Sequence, residues 1–370
     1  MLLPTVSLDL MKHATDTHFT HGSHGPLPLL KTCCLTCHLC RLLSSDPDNQ
    51  SRLDLKVLKF RKQAYATSTK ATYKSQLRAY LTFCVYYGYQ PLPASTITLS
   101  RYAAFLARSL SASSIPAYLN IVRILHLEHG LEDPTKNNFH LATTLRGIRR
   151  CKGCTVSQKQ PMTPAMLLAI KSHLNLTDPV HATFWAVCLT GFFGLLGKAN
   201  MLLKGVTKFN PLKHLKRSDI VFYPGWAIVI NRWSKTIQFS QRLLTVPLPL
   251  IPGHPLCPYS ALQHAFKLVP ATLSCPAFVL PATSRRGLIP FTYAKFDSLL
   301  KSVVSTAGLD PSRISGHSLR SGGANLAFQA NIPEEFIKRL GDWRSDAFKS
   351  YIHIPIKYRM YAIRQLASFV

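Results

Sequence analysis

The stretch Gly316-His317-Ser318-Leu319-Arg320-Ser321-Gly322-Gly323-Ala324 is followed by Leu340-Gly341-Asp342-Trp343-Arg344-Ser345-Asp346 and then by Tyr351. A histidine and an arginine three residues apart at the opening of a helix fall on one face of its first turn. That pair suits a phosphate, because it offers a bidentate cation and an imidazole in front of the helix N–H groups. Trp343 can only donate through its indole N–H, and it precedes Tyr351 by eight residues. A lone His-x-x-Arg is usually a helix-surface pair, and Trp343 taken alone reads as core. Together with Ser-Gly-Gly-Ala they read as a phosphate-handling site beside a tyrosine. Tyr358 and Tyr361 compete for that place, and the Trp343 spacing favours Tyr351.

Working outward, 370 residues predict two domains or three, and a hydrophobic fraction of 47% supports a real core. The charge is lopsided, with 44 Lys+Arg against 16 Asp+Glu and a net +28. Compactness at that charge implies a polyanionic partner, and nucleic acid, DNA or RNA, fits better than a membrane surface. With the motif, double-stranded DNA is the partner expected, with no membrane and no small-molecule substrate. No Asp or Glu occurs from Leu55 to Leu127, nor from Pro134 to Thr177. A solvated face normally mixes signs, so these runs read as a footprint for phosphates. The cations expected to touch DNA are Lys70, Lys74, Arg78, Arg101, Arg108, Arg123, Arg146, Arg149 and Arg150. Ten cysteines without a secretion signal predict reduced thiols, an intracellular protein and, given its partner, a nuclear one. The uncharged run Ala182–Gly197 is short for a membrane span and fits a buried helix.

In chain order, residues 1–54 read as a poorly ordered leader. Its Cys33-Cys34-Leu35-Thr36-Cys37-His38-Leu39-Cys40 lacks the second pair that a zinc site needs, so no metal and no cofactor is expected. Residues 55–150 carry helical periodicity in four segments, with Gly88 as a stop and Pro116 in a first turn. Residues 151–163 read as a polar linker and 164–370 as a second domain. There Ala182–Leu203 reads as one long apolar helix. Val221–Tyr223, Trp226–Ile230 and Leu243–Val246 are β-rich, with Pro224-Gly225 as a turn, and predict a small antiparallel sheet presenting Lys235 near a turn.

Over about 300 residues the chain resembles the tyrosine recombinases, closest to the DIRS-like, Ngaro-like and Crypton recombinases of eukaryotic transposons. The resemblance is carried by Phe192-Phe193-Gly194-Leu195-Leu196-x-Lys198-x-Asn200, Lys213-His214-Leu215-x-Arg217-Ser218-Asp219-Ile220, Ser234-Lys235-Thr236-x-Gln238 and the two C-terminal blocks. It implies an all-α, SAM-like core-binding domain followed by a mixed, mainly α catalytic domain with a small antiparallel sheet. It also implies a homo-oligomer, a tetramer on paired sites, when active. The chemistry implied is attack of Tyr351 on a DNA phosphodiester, giving a 3′-phosphotyrosyl link and a free 5′-hydroxyl. Arg320 would clamp the non-bridging oxygens, His317 would donate or shuttle a proton, Trp343 would be a donating wall, and Lys235 would protonate the leaving 5′-oxygen.

The chain departs from that pattern at Gly197, which stands where the resemblance implies the first catalytic arginine. Read as part of a helix, Gly197 costs about 0.5–1 kcal/mol relative to alanine, and neighbouring Lys198 points about 100° away. The expectation is an attenuated recombinase. The alternatives are a catalytically dead, domesticated DNA-binding protein and a type IB topoisomerase-like enzyme; an RNA-binding protein is disfavoured by the absence of stacking-rich motifs.

Overall fold

A computed structural model of the chain describes residues 49–153, 159–237, 242–282, 287–352 and 356–369, and the chain divides into two compact units, residues 1–156 and 157–370. Cys33, Cys34, Cys37 and Cys40 lie outside the described residues.

The first unit is helical: α1 (Asn49–Gln63), α2 (Thr67–Tyr87), α3 (Thr96–Ala107), α4 (Ile115–Glu128) and α5 (Phe139–Lys152). α1 begins inside the segment read as a leader, and its Leu53, Leu55, Val57 and Phe60 are exposed. α2 stops where expected, at Gly88 in the left-handed region with φ 68°. α3 starts at Thr96, because Ser95 caps it by accepting from Thr98 N at 3.1 Å. Leu77, Tyr80, Phe83, Leu99, Tyr102, Leu106, Ile121, Val122 and Leu125 interlock as one core. His126 is buried with them; its Nε2 accepts from Ala94 N and its Nδ1 faces Val122 O, each at 2.8 Å. Those partners fix a neutral tautomer, and burial lowers the pKa from 6.5. The unfolded chain therefore binds the proton first, so His126 withdraws stability as pH falls below the ordinary histidine range. The melting temperature is expected to drop between about pH 7 and about pH 5, with His126 still neutral by NMR below its ordinary range.

The second unit is built around α7 (Pro179–Phe193), which is buried along nearly its whole length and capped by Asp178. α6 (Pro164–Ser172) precedes it. The expected continuation of α7 to Leu203 does not occur. Leu195 takes a left-handed φ of 50° and Leu196 N donates to Gly191 O at 3.1 Å, which closes the helix. A separate turn, α8 (Lys198–Met201), follows. Residues 159–163, read as linker, belong to this unit: Met162 is buried and its N donates to Ser318 O at 2.8 Å.

β1 (Ile220–Tyr223), β2 (Trp226–Asn231) and β3 (Leu244–Pro249) form an antiparallel sheet in sequence order. Ala227 and Val229 pair with Leu248 and Val246 on the buried face. β3 runs on through Pro247 and Pro249, which are tolerated because they lie on an edge strand and face away from the core. α9 (Pro258–Leu268) packs on α7, and β4 (Val279–Pro281) and β5 (Leu288–Pro290) form a second, two-stranded sheet that sequence patterning did not indicate. α10 (Tyr293–Thr306), α11 (Gly316–Gln329), α12 (Glu334–Leu340), a 3₁₀ turn (Asp346–Tyr351) and α13 (Ile356–Ala367) complete the unit. Among the described residues, no helix is long and apolar enough to cross a membrane.

Candidate active site

Ser315 caps α11 in a reciprocal box with Ser318, so His317 and Arg320 project from its first turn as expected. The two glycines behind them let α11 approach backbone on either side. A Cβ on Gly322 would lie 2.0 Å from Met162 O, and one on Gly323 would lie 1.9 Å from Phe192 O. Gly323→Ala is therefore expected to destabilise the unit by about 1–3 kcal/mol or more, read as a lowered denaturation midpoint.

Tyr351 ends the 3₁₀ turn, half-buried, its ring 4.8 Å from that of His317 in an edge-to-face contact and 5.8 Å from that of Trp343. The Arg320 guanidinium lies 4.3 Å above the Trp343 ring, and its Nη2 donates to Gly341 O. A guanidinium has five donors, so others remain for a phosphate. Loss of water around the ring, and then the Arg320 charge, hold His317 below its ordinary pKa, so it is neutral at neutral pH. Burial also lowers the Arg320 pKa, against the pull of Tyr351 and Asp342, but an arginine remains charged. The four predicted residues are together.

Two residues that sequence reading passed over hold them there. Asn325, one place beyond the Ser-Gly-Gly-Ala block, is buried; its Nδ2 donates to Ser321 O at 2.7 Å and to Tyr351 O, tying the tyrosine turn to α11. Asp342 contacts the Lys235 turn. That turn is closed by Ile237 N donating to Ser234 O at 3.1 Å, and Lys235 is exposed at its tip. Thr236 Oγ1 donates to Asp342, which immediately precedes Trp343.

Gly197 is not in a helix interior. It is the N-cap of α8, with φ −77° and ψ 155°, so the predicted helix penalty does not apply. A Cβ there would meet Asn200 Oδ1 at 3.5 Å, an ordinary contact. Lys198 runs its stem along Gly316, and its ammonium pairs with Asp297 and lies 5.3 Å from the Tyr293 ring centre.

The chain is 26% identical over 299 residues to an "Integrase/recombinase xerD homolog" of Selenomonas ruminantium, covering 79% of this chain and 83% of the relative. The chain is a homologue of that integrase/recombinase. No protein-family model matches it. Its fold resembles the Tn1549 transposon integrase in complex with a circular intermediate DNA (TM-score 0.57, 14% identity, 84% of this chain and 98% of that one). It also resembles a lambda integrase dimer bound to a core site (TM-score 0.51, 17% identity, 82% and 94%).

The predicted DNA contacts all lie in the helical unit. Lys74, Arg78, Arg101, Arg108, Arg123, Arg146, Arg149 and Arg150 are exposed. Lys70, Lys74 and Arg78 recur every four residues along α2, and Arg146, Arg149 and Arg150 share one face of α5. Lys70 is partly covered and donates to Lys62 O, Arg123 is paired with Asp133 at 2.8 Å, and Arg101 donates to Tyr89 Oη at 3.0 Å.

Proposed function

We propose that the chain cuts and rejoins duplex DNA through a 3′-phosphotyrosyl intermediate on Tyr351, at a rate held down by Gly197. The observation that carries this is the convergence of His317, Arg320 and Trp343 on Tyr351, with the Lys235 turn fastened to the Trp343 loop. Tyr351 Oη attacks phosphorus and its proton passes to neutral His317. The P–O5′ bond breaks, and the Lys235 ammonium gives its proton to the departing oxygen. Arg320 meets the charge that builds on the equatorial oxygens. The helical unit, free of Asp and Glu from Leu55 to Leu127, supplies the duplex grip. The similarity to DNA-bound integrases supports a DNA partner, and the motif blocks support a transposon origin and a nuclear site of action.

In α13 and just beyond it, Ile356, Met360, Ile363, Leu366 and Phe369 are exposed, the first three at helical spacing. An apolar stripe of this kind supports docking on a second copy, as a homo-oligomer on paired sites would require.

The test is incubation with a pool of randomised-core suicide duplexes, followed by denaturing electrophoresis. A slow covalent adduct is expected from the unmodified chain. Gly197 also favours a second reading, a DNA-occupying protein that no longer cuts. An adduct from Gly197→Arg but none from the unmodified chain selects that one, and no adduct from either overturns the strand-cleavage reading.

A further inference from the structure

We propose that Asp342 is a positioning residue that fixes the turn carrying Lys235 to the loop carrying Trp343, and so sets where the leaving-group proton is delivered. The inference rests on the strand-cleavage reading above.

Asp342 sits in the left-handed region with φ 56°, a conformation that aspartate tolerates better than most residues. Its side chain is only 9% exposed. A carboxylate so enclosed is unfavourable unless donors surround it. Here Oδ2 accepts from Thr236 Oγ1 and from Ser234 Oγ at 3.4 Å, while Oδ1 is paired with Arg242 at the foot of β3. Ser234 and Thr236 are the two neighbours of Lys235, and Ser234 Oγ shares its one proton between Asp342 and Thr236 Oγ1, 2.8 Å away. Arg344 Nη2 adds a bond to Thr236 O.

The residues on either side of Trp343 therefore grip both sides of the Lys235 turn, while Trp343 itself carries the Arg320 guanidinium. Phosphate clamp and proton donor are held as one piece. A lysine stem is long and flexible, so fixing its root narrows where the ammonium can reach.

A chemical readout separates this role from general support of the fold. In the ordinary substrate O5′ leaves only as its proton arrives. With sulfur in place of O5′, the P–S bond breaks and a thiolate leaves unprotonated, because a thiol has a pKa of about 8.5 against about 15.7 for water. Single-turnover cleavage of both substrates would be compared for Asp342→Ala, Asp342→Asn and Lys235→Ala, in the unmodified chain and with Gly197→Arg. Asp342→Ala is expected to slow the oxygen substrate by about 10- to 100-fold while leaving the sulfur substrate within a few-fold, as for Lys235→Ala. Equal losses on both substrates, or no loss on oxygen, would overturn the inference. Failure of Gly197→Arg with Asp342 intact to cleave either substrate would instead remove the strand-cleavage reading, and this inference with it.

Discussion

Gly197→Arg is expected to raise the single-turnover rate of covalent adduct formation by about 10³-fold or more, the lower end of what a charge-stabilising arginine contributes to phosphoryl transfer. The backbone at residue 197 is extended, with φ −77°, and any side chain can adopt it. The first contact of a new Cβ is an ordinary one with Asn200, so the arginine needs no rearrangement at its root. Its neighbourhood is the right one, because the stem of the adjacent Lys198 lies against Gly316, the residue before His317. Lys198 does not supply the missing charge, since its ammonium is committed to Asp297. The rate is measured as band-shifted protein on a denaturing gel against time. A Gly197→Arg protein no faster than the unmodified chain would show that this position does not limit the chemistry.

Tyr351→Phe is expected to abolish the adduct in both backgrounds while leaving duplex affinity and the melting temperature nearly unchanged. Phenylalanine preserves the ring that meets His317 and Trp343, and the bond from Asn325 goes to the Tyr351 backbone carbonyl, which the substitution keeps. Only the attacking oxygen is lost. The change in stability should stay within about 0.5 kcal/mol, as for substitutions that remove no packing. Adduct that survives Tyr351→Phe would transfer the role to another tyrosine, with Tyr358 and Tyr361 next in the chain.

His317, Arg320, Trp343 and Tyr351 were legible in the sequence because their relation is local: one helical turn, then a loop and turn of fixed length. The helical character of the first unit and the β1–β2 turn at Pro224-Gly225 were legible for the same reason. What was hidden depends on distant partners. Asp342 reads as a loop acid until Ser234, Thr236 and Arg242 are brought around it, roughly 100 residues away in sequence. The fixed signal for Asn325 was its place directly after the Ser-Gly-Gly-Ala block, without the knowledge that Tyr351 would return to it. The Ala182–Leu203 reading failed because an unbroken apolar run hides a helix end. Closure at Leu195 uses a left-handed residue that hydrophobicity does not mark. The β4–β5 pair escaped because each strand has three residues and ends in proline.

The most direct measurement is mass spectrometry of the proteolysed adduct from the Gly197→Arg protein, with the DNA ends analysed in parallel. The expected result is a 3′-nucleotidyl phosphate on the peptide that contains Tyr351 and a free 5′-hydroxyl on the released strand. A phosphate on any other residue, or a 5′-linked adduct, would contradict the account.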